Sequence, residues 1–179
     1  METILSEISI RDLRMNVFDQ WDRDWLLLTS GDYPSGKYNS MTVAWGSIGN
    51  MWNRPFVMVV VRPSRYTYEF INSYPDFSLC GFSEDNRKAL NLLGVKSGRD
   101  GNKIKESGLT AIMASKVSAP VFKEAELSIE CRKIYFQDFN PAHFNDLRIE
   151  KNYPDQDYHR MVFGEIIHVQ GIKEKFACK

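Results

Sequence analysis

From Arg62 to Thr67 the chain reads Arg-Pro-Ser-Arg-Tyr-Thr, two guanidiniums and two aliphatic hydroxyls in a short stretch. A guanidinium is a rigid fork of donors that matches an oxyanion. Pro63 bars helix at Arg62, and Ser64 or Thr67 is suited to cap a helix opening just beyond. A helix start exposes unpaired N–H groups at the positive end of its dipole. Arg65 and Thr67 beside such a start provide what a phosphate monoester needs, with Arg62 and Ser64 behind them. The same residues also fit a solvated surface, so their surroundings must decide.

Two expected strands precede them. From Asn39 to Gly46 the residues alternate, with Ser40, Thr42, Ala44 and Gly46 on one face and Met41, Val43 and Trp45 on the other. The bulky face suits a core; the small, hydroxyl-bearing face leaves room for a ligand against the backbone, or simply faces solvent. Phe56 to Val61 is a continuous apolar run, expected to be a strand buried on both faces. Between them Ile48 to Asn53 carries turn chemistry, with Met51 and Trp52 at its tip. Together these segments suggest a flat, largely apolar, phosphorylated ligand.

Leu26 to Thr29 reads as a strand paired with the Asn39 strand across a Gly31–Gly36 turn. Tyr66 to Asn72 reads as a short helix, and Phe77 to Phe82 as a strand in which Gly81 permits a bulge. Ser83 is expected to cap a helix through Leu93 with the stripe Ala89, Leu90 and Leu93. Gly94 to Gly108 is a long polar loop with one helical turn near 102–106. In it Ser97, Gly98, Arg99 and Lys103 form a second cationic patch, a ligand contact or a solvated loop. Ala125 to Phe136 alternates, with Leu127, Ile129 and Cys131 opposite Ser128, Glu130 and Arg132. Asp138 to Pro154 is an excursion, and Met161 to Ile172 a closing strand that bends at Gly164. Many short strands and few helices make a mainly β (α+β) barrel over a single domain, residues 1–179.

Composition narrows the partners. Lys plus Arg and Asp plus Glu are 23 each, so no bulk field draws nucleic acid or an anionic membrane. No apolar run is long enough to span a bilayer. The first ten residues lack the basic region of an export signal, and three dispersed cysteines read as reduced thiols of a cytoplasmic protein. Cys80 and Cys131 fit the core, Cys178 the surface. The three histidines have no accompanying spaced ligands, so no metal site is expected.

Asn-Ser-Met-Thr-Val-Ala-Trp-Gly-Ser-Ile-Gly, followed by Arg-Pro and Arg-Tyr-Thr-Tyr-Glu-Phe-Ile, resembles the flavin reductase-like family of FMN-binding split-barrel proteins, the flavoredoxin group. SGRDGNKIKESGLT, AELSIECRKI and HRMVFGEIIHV follow in the family's order, so the resemblance runs from about Val17 to Val169. It implies a split β-barrel with a few short helices, a homodimer, and FMN at or near the interface. It places Asn39, Ser40, Met41, Thr42, Ala44, Trp45 and Gly46 along the isoalloxazine. Trp45, on the bulky face, also suits a core or dimer contact. It gives the phosphate to Arg65 and Thr67, with Arg62 and Ser64, and brings Ser97, Gly98 and Lys103 close. It puts His159 near the flavin and nicotinamide site, although Gln-Asp-Tyr-His stands here in place of the family's Gly-Asp-His. The implied activity is hydride transfer from NADH or NADPH to FMN, and on to free flavin or another small acceptor. No G-x-G-x-x-G fingerprint is present, so nicotinamide would dock transiently. A flavin carrier or sensor without reductase activity is the alternative, and a split barrel for pyridoxal phosphate or heme a third.

Overall fold

The computed structural model describes residues 5–178. Part of the N-terminal stretch read above for an export signal, residues 1–4, lies outside them. Ten strands follow in order: β1 Ser6–Glu7, β2 Leu26–Asp32, β3 Lys37–Val43, β4 Gly46–Met51, β5 Arg54–Val61, β6 Asp76–Gly81, β7 Ala111–Ile112, β8 Val121–Phe122, β9 Leu127–Asp138 and β10 Arg160–Gly171. The helices are α1 Val17–Asp19, α2 Tyr66–Ser73, α3 Arg87–Val95, α4 Lys103–Ser107 and α5 Lys173–Phe176.

One eight-stranded sheet runs in the order β3-β2-β6-β9-β10-β5-β4, with β1 added beside β10. Every pairing in it is antiparallel. Its terminal strands β3 and β4 are consecutive in the chain, separated only by Ala44 and Trp45. That short link brings the two ends of the path to one corner, so the sheet curls round its core instead of lying open. Leu28, Val57, Val59, Phe77, Leu79, Ile129 and Val162 are all buried inside the curl. A second apolar cluster, under α3, holds Leu27, Cys80, Leu90, Leu93 and Phe122.

Most expected elements form where the apolar pattern put them. β2 and β3 pair with Thr29 opposite Ser40, and Ala89, Leu90 and Leu93 are the buried stripe of α3. The expected strand Asn39–Gly46 is instead broken after Val43, and Gly46 starts β4. The expected turn Ile48–Asn53 shrinks to Trp52 and Asn53, both at positive φ, while Ile48 to Met51 are strand. Both central residues of such a tight hairpin turn adopt left-handed backbone, which matches the twist of its strands. Ser83 makes no side-chain cap; a 3₁₀ turn, Glu84–Asn86, precedes α3.

β9 is not one-sided. Ser128 and Glu130 are fully buried alongside Leu127, Ile129 and Cys131. The Glu130 carboxylate accepts the backbone N–H groups of Ser115 (2.9 Å) and Lys116 (2.6 Å). Asp76 accepts those of Ser118 and Ala119, each at 3.2 Å. These two acids fix the connection between β7 and β8, since a buried carboxylate needs such donors. Cys80 and Cys131 are buried and Cys178 exposed, all three as free thiols. Among the described residues, no helix is long and apolar enough to cross a membrane.

The register between β9 and β10 shifts at Phe163/Gly164, the bend expected at Gly164. A Cβ there would lie 2.4 Å from the Phe77 ring and 2.7 Å from the Cys131 Cβ, both fully buried. Gly164→Ala should therefore cost roughly 1–3 kcal/mol through overpacking. Urea unfolding measures it, and an unchanged midpoint would show that the two strands part without penalty.

Candidate functional site

β3 ends the sheet path, so among the described residues its outer edge meets no further strand and offers backbone groups to whatever lies beside it. Two cavities adjoin there. The first, of about 200 Å³, is lined by Met41, Thr42, Ala44, Trp45, Val60, Arg62, Arg65 and His159. The second is lined by Ser64, Arg65, Thr67, Ser97, Gly98 and Lys103, among others. Met41 and Arg65 belong to both. Residues from four stretches of the chain, 41–45, 60–67, 93–103 and 159, thus converge on one recess with an apolar end and a cationic end.

The cationic end is built at the start of α2. Its N-cap is Arg65, and no side chain caps it, contrary to the role expected of Ser64 or Thr67. The Ser64 hydroxyl donates to Asp157 at 2.9 Å. The Thr67 hydroxyl accepts from the Asn39 amide at 2.7 Å, tying α2 to β3. The helix start is consequently left open toward the cavity, its orphan N–H groups and positive dipole end available to an anion.

Arg65 donates to the Gly94 carbonyl at 3.0 Å, and no carboxylate pairs with it among the described residues. Lys103 is 4% exposed. Its ammonium donates to the Leu93 carbonyl at 2.8 Å and the Lys96 carbonyl at 2.9 Å, where α3 ends, leaving one of its three N–H groups. Burial first, and the Arg65 charge second, push its pKa down to about 8. Two cations therefore face one cavity without a counter-ion, an arrangement that an anion relieves.

The apolar end is framed by Trp45 and His159, whose rings lie 5.3 Å apart. His159 is buried, and its Nδ1 lies 2.8 Å from the Tyr153 hydroxyl. Burial first, then the Arg62 guanidinium, push its pKa down to about 4 against the opposing pull of Asp157. It is therefore neutral at pH 7. Arg62 is held at 2.7 Å by both the Asp157 carboxylate and the Asn152 carbonyl, and lies over the Tyr153 ring. Burial alone would raise the Asp157 pKa, but the Ser64 hydroxyl and the Arg62 guanidinium hold it below the usual range. Unlike Arg65, Arg62 already has its counter-ion.

The expected ligand face of β3 needs correction. Ser40 is fully buried and its hydroxyl lies 2.7 Å from that of Thr29. Gly46 packs against the Trp21 indole, with no room for a Cβ. Neither lines the recess. Thr42 and Ala44 of that face do line it, and Thr42 also meets α3, donating to the Leu90 carbonyl at 2.6 Å with Gly94 against it. Trp45, expected on the bulky face toward a core, is 50% exposed at the mouth of the recess, because the alternation stops with the strand at Val43. Tyr153 and Asp157 were not anticipated as supports of the site. They lie in an Asn- and Asp-rich excursion with no periodicity; the one signal was an acid two positions before His159.

A family model described as "Flavin reductase like domain" matches residues 23–177. A flavoredoxin from Methanosarcina acetivorans is similar in structure, with a TM-score of 0.67 and 26% identity over 92% of this chain and 78% of that one. An FMN-binding domain of a flavin reductases-like enzyme from Shewanella baltica matches with a TM-score of 0.69 and 16% identity over 96% and 78%. An uncharacterized protein of Pyrococcus abyssi is 29% identical over 56% of this chain. The match spans 57% of that relative's own length.

The neutral His159 has a consequence for stability. Its folded pKa of about 4 lies below the ordinary imidazole value of 6.5, so the unfolded chain binds the extra proton first. The stability this residue contributes is fully present above pH 6.5 and is lost as pH falls toward 4. The difference in unfolding free energy between pH 7 and pH 5 should therefore be smaller in His159→Gln than in the unaltered protein. Equal differences would mean that His159 titrates in the native state as it does in water.

Proposed function

The chain belongs to the flavin reductase-like domain family, and on that premise we propose that it is an FMN-binding oxidoreductase acting with NADH or NADPH. The observation that carries this reading is the pair Arg65 and Lys103, two cations without a carboxylate at an uncapped helix start, beside an apolar recess along an edge strand. A phosphate supplies the missing charge, and a flat ring fills the recess. The flavoredoxin and the FMN-binding domain that share the fold support the choice of FMN. FMN, when bound, supplies the hydride chemistry and the onward transfer of electrons to free flavin or another small acceptor.

The protein's own part is to bind, orient and exclude water. Arg65, Lys103 and the N–H groups of α2 hold the phosphate, with Ser97 and Gly98 on its far side. Met41, Thr42 and Ala44 set the plane of the ring along β3. Trp45 and a neutral His159 form the mouth through which a nicotinamide enters. An imidazole uncharged at pH 7 does not repel a cationic nicotinamide product.

A homodimer is part of the proposal. Trp52, Tyr135 and Phe136 are exposed large apolar side chains, and Trp52, Tyr135 and Phe163 pack against one another on the outer face of the sheet. Such a patch is suited to a second copy. A cytoplasmic location agrees with three free thiols.

The test is reconstitution with FMN, followed by sedimentation and by visible spectra before and after anaerobic NADH, then NADPH. A dimer whose flavin bands shift on binding and bleach within seconds is expected. Binding without bleaching makes the protein a flavin carrier, and no stoichiometric binding overturns the reading. Arg65→Ala should weaken FMN by about 1.5–3 kcal/mol, the scale of a charge-assisted hydrogen bond, with riboflavin affinity little changed. An equal loss for both ligands would make Arg65 a structural residue.

A further inference from the structure

A third cavity, of about 530 Å³, lies beyond the cationic end of the recess. It is lined by Tyr38, Tyr66, Phe70 and Tyr74, with Lys37 and Lys103, and none of the chemistry above uses it. Tyr66, Gly98 and Lys103 line both this cavity and the phosphate cradle. The three compartments therefore come in a fixed sequence, and β3 runs past them all. Ala44, Val43 and Thr42 line the ring pocket, Met41 the ring pocket and the cradle, and Asn39, Tyr38 and Lys37 the third cavity. At about 3.3 Å per residue, Lys37 to Ala44 covers roughly 23 Å of strand. The order is ring pocket, anion cradle, aromatic cavity.

Aromatic faces hold planar bases by stacking with little regard to their hydrogen-bonding edges. Tyr66 and Phe70 on α2, with Tyr74 just beyond its end, set three rings in the wall of this cavity. The Tyr66 and Phe70 rings meet edge-on at 5.1 Å, and Phe70 and Tyr74 are nearly parallel at 6.2 Å. Arg99 lies over the Tyr66 ring at 4.9 Å and is tied to Glu69, which fixes that ring in the partition. Lys37 adds a cation on the far side of the partition from Arg65. The chemistry that matches is a planar base joined to phosphate.

We propose that the Tyr66–Phe70–Tyr74 cavity receives an adenylate group whose phosphate end points back toward the cradle. The proposal rests on the FMN reading of the neighbouring recess. Two molecules carry this group to such a protein: a flavin adenine dinucleotide in place of FMN, or the nicotinamide dinucleotide donor. The aromatic cavity would select the dinucleotide over the mononucleotide form of its ligand.

The experiment titrates the apoprotein with FMN and FAD, and the FMN-loaded protein with 5′-AMP, following flavin and tyrosine fluorescence. FAD binding about tenfold or more tighter than FMN, reduced to the FMN level by Tyr74→Ala with FMN affinity unchanged, assigns the cavity to the flavin. Equal flavin affinities, with 5′-AMP binding to the FMN-loaded protein and competing with the nicotinamide donor, assign it to the donor. Equal flavin affinities with no 5′-AMP binding overturn the proposal while leaving the FMN reading intact. Failure of both flavins to bind overturns the FMN reading instead, and the proposal with it.

Discussion

The two-residue corner at Ala44 and Trp45 is the constraint on which the rest of the molecule depends. A seven-strand antiparallel path has two free ends, and here the chain joins them directly. That forces the sheet to curl, encloses Leu28, Val59, Phe77 and Ile129 in one core, and leaves β3 with an open edge at the seam. The recess forms at this seam. Trp45 stands at its mouth because a side chain at the corner belongs to neither strand's alternation.

The cationic end is made differently, by leaving things unpaired. Arg62 and Ser64 are satisfied by Asp157, and Thr67 by Asn39. Among the described residues, Arg65 and Lys103 donate to carbonyls and pair with no carboxylate. Buried or crowded cations without anions cost free energy in the empty protein. The depressed Lys103 pKa is the sign of that cost, and an anion placed there would remove it. Binding affinity of this kind is stored in the fold before the ligand arrives.

How much of this could be read from residues alone depends on the element. β5 and the stripe of α3 followed from apolar runs and spacing, because burial leaves a periodic trace. The Arg-Pro-Ser-Arg-Tyr-Thr stretch marked the cationic end of the recess, because proline and the arginines act locally. The small face of β3 was read only in part: Thr42 and Ala44 line the recess, but Ser40 and Gly46 pack inside the protein, and no local pattern separates a small residue beside a cavity from one against a packed side chain. The burial of Glu130, on the polar side of the alternation, left no trace either: its partners are backbone N–H groups of Ser115 and Lys116, which leave no mark in composition. Tyr153 and Asp157 reach the site through a segment without periodicity, so only the folded chain shows their role.

The Asp157 carboxylate joins two things that are otherwise remote in the chain. It anchors the 139–159 excursion to Arg62 and Ser64, next to the recess, while Asn152 and Tyr153 hold the same guanidinium. Order in that segment and the aim of Arg62 are thus one equilibrium viewed from two sides. Linkage requires the influence to be reciprocal. An anion that draws Arg62 away loosens the segment, and whatever stiffens the segment keeps Arg62 from the anion. Through Arg62, the 139–159 segment and the recess would therefore each report on the state of the other.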